Sequence, residues 1–470
     1  MKFLTKKKNI FFLSIPILIA GIFLRHYQIN FENYWFDEIV TFWVSDPKLN
    51  FTETLKRNFE INDGAHLIFN FITKYFFYIF GYSPKIGRYL PFIFSVLSIP
   101  LLSYLSYLYF PSKVNFILSI FLISFNWYLI SYSQEVRLYS FQFLLSIISL
   151  IFFYRLCQKI NKKEQIINSF FYIFFTTLAI SNHTFFLIII FSKFVYIILK
   201  FFLDRKKIQF LLFNIFFSVT LFIILMNKPL IIQLSINEFW IRQIDIYFFI
   251  DFYFPRFFGS KLMGSLFLLL LIFLIIKFKK EIFNKSNKLI LLLLIIITSY
   301  SIPLIYSLIF IPILIDRYII FVLIPILILI SVFTSKINNK SLFISIVFLL
   351  ITSSLVNTYL DVFKRQVSKP EFNKAIDLAL QNGMKKIYLK DNKHNYLIIN
   401  YLQNIKTFKK NKIEFLINKK DLLKNDFLFI CYEPLNGFKC SLSSKLENSN
   451  LIDQKNLQLL KIFFYKNKNL

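Results

Sequence analysis

Cysteine is nearly absent from this sequence: its 470 residues include only Cys157, Cys431 and Cys440. That is too few for a disulfide framework, and the spacing fits no zinc-ligand box. Histidine is almost as scarce, with four scattered residues. Acidic side chains are under-represented too, at 25 Asp and Glu against 55 Lys and Arg, a formal net charge of +30. The basic residues fall in short clusters between apolar runs and at the polar C-terminal end, which reports membrane orientation and excludes a nucleic-acid-binding surface. No solenoid-type repeat is visible. The Phe/Ile/Leu/Lys/Asn bias runs through the whole chain and marks no low-complexity segment.

What the sequence has in excess is apolar side chain, 57% of it hydrophobic with 64 Phe. A soluble core of this length could not absorb so many, so the expected class is an α-helical polytopic membrane protein. Spans of roughly 20 apolar residues are placed near 9–25, 89–110, 114–130, 140–154, 166–182, 184–202, 209–226, 261–276, 288–309, 318–334 and 341–359. The first, preceded by Lys2, Lys6, Lys7 and Lys8, resembles a secretory signal but lacks a small-x-small cleavage site, and is read as an uncleaved anchor.

The loops test this list. The N-terminal lysines, Lys113, Arg155 to Lys163, Arg205 to Lys207, Lys277 to Lys288 and Lys336 with Lys340 all fall on one side if there are eleven spans. The N-terminus is then cytoplasmic and the C-terminus outside. A further apolar segment, 65–80, would invert every later loop if it crossed. His66, Asn70 and Lys74 recur in it at every fourth residue, a polar stripe suited to a helix lying in the interface. The first outer loop then runs over 26–88.

With that topology the ionisable residues hardest to explain as solubilising charge gather at the outer side. They are Asp37 and Glu38, His66, the segment Gln134-Glu135-Val136-Arg137-Leu138-Tyr139, Asn182-His183, the loop 227–260 and Asp316-Arg317-Tyr318. Adjacent carboxylates such as Asp37 and Glu38 either face water or do chemistry, because burying two unpaired like charges is prohibitive. Lys193 falls near the middle of a span, where a lysine costs about 3 kcal/mol on insertion scales and is a functional candidate by default.

Beyond residue 360 the composition turns Lys/Asn-rich, and a small outer-face α/β domain is expected over 361–470. A helix begins at Pro370 and stops at Gly383, strands are expected at 386–389, 427–432 and 459–464, and a helix at 396–403. This part has no glycine-rich phosphate loop. In an oxidising compartment Cys431 and Cys440 could pair across the turn containing Pro434 and Gly437.

These segments resemble the GT-C superfamily of integral-membrane glycosyltransferases, in particular bacterial relatives of protein O-mannosyltransferases and of the aminoarabinose transferase that modifies lipid A. Phe36-Asp37-Glu38 is similar to the family's acidic motif in its first outer loop. The stretch from His66 through Phe80-Gly81 to Gly87-Arg88-Tyr89-Leu90-Pro91 resembles its "H-P-P-L-Y … F-G … R-L-P" pattern, with Leu67-Ile68 in place of the tandem proline. Tyr132 to Ser140 resembles "Y-S-Q-E-x-R-x-Y", and Asp316-Arg317-Tyr318 with Pro325 resembles the later "R-Y-x … P".

The resemblance implies inverting transfer of a sugar from a polyprenyl-phosphate-linked donor, at the outer face of a bacterial cytoplasmic membrane, to a lipid, glycan or protein acceptor. Such a transfer needs a base for the acceptor hydroxyl and cations for the departing phosphate. Asp37 is assigned as base, with Glu38 orienting the acceptor, positioning Asp37 or binding a metal. Arg137 and Arg317 either bind the donor phosphate or neutralise the acidic pair, Arg88 is a further candidate, and Lys193 joins the substrate-binding group. Glu135 pairs with Arg137, or else His66 and His183 join acidic residues around a divalent ion, which some relatives use; Tyr139 completes the set. The competing class is a lipid-linked saccharide flippase or other transporter, which would place polar sites at the midplane within repeat-like halves that are not evident here.

Overall fold

A computed structural model describes residues 2–467 apart from 62–66, 159–160, 200–204, 235–240, 242, 283–287, 391, 393, 417–421, 423–424 and 437–448. His66 and Cys440 therefore lie outside the described residues. In chain order the principal helices are α1 (Lys2–His26), α2 (Phe36–Val44), α3 (Phe51–Glu60), α4 (Leu67–Phe80), α5 (Pro84–Gly87), α6 (Tyr89–Tyr109), α7 (Lys113–Ser124), α8 (Trp127–Tyr132), α9 (Tyr139–Leu156), α10 (Lys162–Asn182), α11 (Leu187–Leu199), α12 (Arg205–Leu234), α13 (Ile246–Asp251), α14 (Lys261–Lys277), α15 (Lys279–Ile282), α16 (Leu289–Ile309), α17 (Leu323–Ser335), α18 (Lys340–Asn357), α19 (Phe372–Gln381), α20 (Asn395–Gln403) and α21 (Lys406–Lys410).

The chain divides into two compact units. One comprises residues 1–27, 55–69 and 91–365; the other gathers 28–54, 70–90 and 366–470, so much of the stretch 26–88 folds with the C-terminal region. All eleven stretches expected to span contain helix. Among the described residues six helices are long and apolar enough to cross a membrane: Pro84–Tyr109, Tyr139–Leu156, Lys207–Met226, Leu289–Ile309, Asp316–Ser335 and Lys340–Phe363. The protein is a multi-pass membrane protein with a small C-terminal sheet.

In the helical unit, α17 is buried on every side, as a helix apolar around most of its circumference should be when it forms a bundle centre. A polar staple fixes it: Ser331 donates to the carbonyl and side-chain oxygens of Asn115 on α7, and the Asn115 amide donates to Ser106 O and Phe110 O. The peripheral helices carry exposed phenylalanines, Phe170 and Phe174 on α10 and Phe213 and Phe216 on α12. Those faces suit lipid contact. The expected span 114–130 is broken at Asn126, whose side chain accepts from Leu129 N and starts α8. The span expected at 318–334 opens with a tighter 3₁₀ segment, Asp316–Val322.

The second unit contains a five-stranded sheet in the order β2-β1-β3-β5-β4, with β1 Lys386–Leu389, β2 Glu414–Leu416, β3 Phe427–Tyr432, β4 Ser449–Leu457 and β5 Leu460–Asn467. β1 pairs in parallel with β2 and β3, and β5 runs antiparallel between β3 and β4. β3 is buried throughout and reads as an unbroken apolar run, as strands covered on both faces do. Gly383 takes φ +71° just beyond α19, the left-handed conformation that favours glycine after a helix. Cys431 in β3 is disulfide-bonded. Two strands escaped the sequence reading: β2 has three residues, and β4 is a polar edge strand without apolar alternation.

The polar stripe of α4 needs correcting. Its lysine faces protein: Lys74 Nζ donates to Leu49 O, Asn50 O and Thr54 Oγ1, and Asn70 is fully buried. The exposed side is aromatic and aliphatic instead, with Tyr75, Tyr78, Ile79 and Phe80. At 14 residues, α4 is about 21 Å long, short of a hydrocarbon layer of about 30 Å.

Candidate functional site

The acidic motif opens α2. Trp35 is the N-cap, and its N–H donates to Glu38 Oε2 at 3.3 Å, a carboxylate at the third helical position satisfying a free donor of the first turn. The helix therefore fixes the two carboxylates differently. Glu38 is fully buried, whereas Asp37 is half-buried.

Two cations meet Glu38. Lys369 Nζ lies 2.5 Å from Oε2 and Arg88 Nη2 lies 3.9 Å from Oε1. The Arg88 guanidinium also donates to the carbonyls of Ile29, Glu32 and Asn33 and lies over the Tyr34 ring at 5.2 Å. At 2% exposure, it clamps the loop that leads into α2. The expectation that Arg88 holds a donor phosphate does not fit this geometry, because its donors already serve the loop and Glu38. Lys369 was not singled out from sequence; it sits just before Pro370 and carried only the signal of a domain start.

Aromatic groups complete this part of the second unit. Tyr34 N donates to Tyr401 Oη at 2.9 Å, the two rings stack at 5.2 Å, and Phe36 N–H donates to Tyr432. Burial pushes the Tyr401 phenol up to about 12, against the favourable Tyr34 N–H and Arg88. Burial also raises Tyr432, with the Asp37 and Glu38 carboxylates adding to the rise. These tyrosines stay neutral near pH 7.

A second cluster forms in the helical unit. The turn between α8 and α9 carries the Tyr132-to-Ser140 motif and is held by Ser140 Oγ on Tyr132 O and by Gln134, which donates to Arg25 O and Tyr27 O and accepts from Arg365. Arg25 in turn reaches Ile123 O and Ser124 O at the end of α7, where a cation complements exposed helix carbonyls. The turn presents Tyr139 to Tyr318 and His183, with ring centroids 6.4 Å from each, while His183 and Tyr318 lie 5.0 Å apart. Arg317 lies 5.9 Å from the Tyr139 and Tyr318 rings. Tyr132 is near Glu135, Asp316 and Arg317; burial and the two carboxylates raise its phenol pKa while Arg317 opposes them. Asp316 is 3.7 Å from Arg256. Arg137 is buried, and its N–H donates to Glu135 O.

Of the remaining expected residues, His183 Nδ1 accepts from Phe185 N at 3.2 Å, which in the neutral ring puts the proton on Nε2. Lys193 is fully buried; its Nζ donates to Ser149 Oγ at 2.8 Å and lies 4.8 Å from the Tyr172 ring, with Phe153 and Phe186 on other sides. This is an aromatic cage between helices. Among the described residues no three His, Cys, Asp or Glu side chains come together as a metal site.

No protein-family model matches the chain, and no curated protein sequence matches it. Solved structures do. The structure of ArnT from Cupriavidus metallidurans in the apo state matches at a TM-score of 0.61 and 10% identity, covering 98% of each chain. The same protein bound to undecaprenyl phosphate matches at 0.57 and 10% identity, over 96% of this chain and 97% of that one. Likeness at this identity establishes the fold, from the first helix to the terminal sheet.

Proposed function

We propose that this protein is a GT-C-type membrane glycosyltransferase that moves a sugar from a polyprenyl-phosphate-linked donor to a lipid, glycan or protein acceptor of the cell envelope, with inversion at the anomeric carbon. The N-terminus is cytoplasmic and residues 361–470 form a domain on the outer face of a bacterial cytoplasmic membrane. The fold likeness is analogy at the level of architecture, and it supports the reading because it runs the length of the chain and one matching structure holds undecaprenyl phosphate. The observation that carries the proposal is the placement of the acidic pair in the first turn of α2: Glu38 is buried and pairs with Lys369 and Arg88, and Asp37 stands beside it half-buried.

In this reading Asp37 takes the proton of an acceptor hydroxyl as that oxygen bonds to the anomeric carbon. The bond from that carbon to the phosphate oxygen breaks, and its electron pair leaves with the phosphate. Arg317 and Arg137 stabilise the departing charge. Tyr139, Tyr318 and His183 supply ring faces beside Arg317, and Glu135 and Asp316 limit the net positive charge there. Glu38 acts by holding α2. A divalent ion, if the reaction uses one, would draw on Asp37, because His183 Nδ1 spends its lone pair on Phe185 N–H and Nε2 then carries the proton.

The test is incubation of the purified protein with a panel of polyprenyl-phosphate sugars and envelope acceptors, with product mass as readout. Donor-dependent glycosylation with release of polyprenyl phosphate is expected. Movement of intact donor across a vesicle membrane without bond cleavage would replace this reading with transport.

A further inference from the structure

The first turn of α2 is built from both ends of the second unit. Lys369 Nζ pairs with Glu38. Immediately before it, the backbone N–H groups of Ser368 and Lys369 and the Ser368 hydroxyl all donate to Glu32 Oε1, at 2.6, 3.2 and 2.7 Å. Tyr432, at the end of β3, accepts from Phe36 N–H, and Tyr401 on α20 accepts from Tyr34 N. The His394 ring meets Phe36 edge-on at 5.6 Å, and Tyr396 meets Trp43 at 5.1 Å. Asp37 therefore lies between two residues, Phe36 and Glu38, that are each fixed by a side chain from the C-terminal region.

We propose that Lys369 and Tyr432 are positioning residues for the acidic motif, so that the C-terminal region sets the orientation of Asp37 and acts as a working part of the transfer centre. This rests on the reading of Asp37 as general base. Lys369 acts through Glu38. Glu38 is at zero exposure, and without the ammonium its carboxylate loses a cation 2.5 Å away, against 3.9 Å for Arg88. A buried carboxylate that loses its nearest cation draws on other donors or moves outward. Either response shifts the turn that carries Asp37. Tyr432 acts on the other flank by fixing Phe36 N–H.

Reaction rate is sensitive to such shifts, since a displacement of about 1 Å at a reacting group costs on the order of 100-fold. The test compares Lys369→Met, Lys369→Arg and Tyr432→Phe in the full-length purified enzyme, with kcat and donor KM measured separately. Lys369→Met is expected to lower kcat about 10- to 100-fold while donor KM stays within about twofold, and Lys369→Arg to restore most of kcat because it returns the cation. Tyr432→Phe, which keeps the ring and removes the hydroxyl that accepts from Phe36 N–H, is expected to lower kcat several-fold with donor KM unchanged. If Lys369→Met does not fold, the Arg and Phe variants decide the matter by the same split. A loss that falls on donor KM, or kcat unchanged in folded Lys369→Met and Tyr432→Phe, overturns the proposal. Asp37→Asn measured beside them separates the two readings: full activity there removes the base assignment and this proposal with it, whereas inactivity there with full activity in Lys369→Met and Tyr432→Phe overturns the positioning alone.

Discussion

Glu38 and Asp37 are neighbours in sequence with opposite fates, and the difference is set by helix geometry. The third position of α2 turns Glu38 back toward Trp35 N and into a buried cationic site, while Asp37 keeps partial access to solvent. Arg88 belongs to the same site. Its replacement by Ala should destabilise the protein by about 3 kcal/mol, the scale for removing one partner of a buried ion pair. Thermal unfolding of the purified variant checks this, and an unchanged midpoint would contradict it. The acidic pair could be picked out in the sequence because like charges side by side in an apolar chain require a reason. Its main partner could not, since Lys369 is 331 positions away and nothing local distinguishes it from the other lysines of a basic tail.

At the scale of elements, continuous apolar stretches announced themselves. The fully buried β3 and the bundle helices were expected within a few residues, whereas β4, polar and at the sheet edge, left no apolar periodicity to read. The stripe on α4 misled because a period of four gives a polar face without saying what covers it; here Lys74 is covered by carbonyls of the preceding loop. Lys193 presents the same ambiguity on α11. Its three surrounding rings and its bond to Ser149 make a closed cage joining α9, α10 and α11. Lys193→Met, similar in volume, should keep transfer activity within about twofold and fold at least as stably, because a buried charge is often replaced by an apolar isostere without loss. Activity and unfolding measurements on that variant check both parts. Loss of donor binding in that variant would support the expected place of Lys193 in the substrate-binding group.

For the molecule as a whole, the excess of apolar residues in long runs was enough to read a polytopic membrane protein, and the ArnT-like fold agrees over nearly the full chain. That residues 28–54 and 70–90 group with the C-terminal region was not legible, because it depends on tertiary contacts between distant segments. In the proposed function, donor recognition falls to Arg317 and Arg137. Arg317→Ala should therefore raise donor KM about tenfold or more, the scale of a lost charge-assisted contact to phosphate, with little change in acceptor KM. Steady-state kinetics with each substrate varied in turn checks this, and an effect confined to the acceptor would move Arg317 out of the donor site. The central claim is general-base chemistry at Asp37, and the most direct measurement is release of polyprenyl phosphate from a labelled lipid-linked sugar by wild-type protein and by Asp37→Asn, both folded in the same detergent. The account predicts acceptor-dependent release by the wild type and a rate at least about 100-fold lower in the variant; equal rates in the two proteins would contradict it.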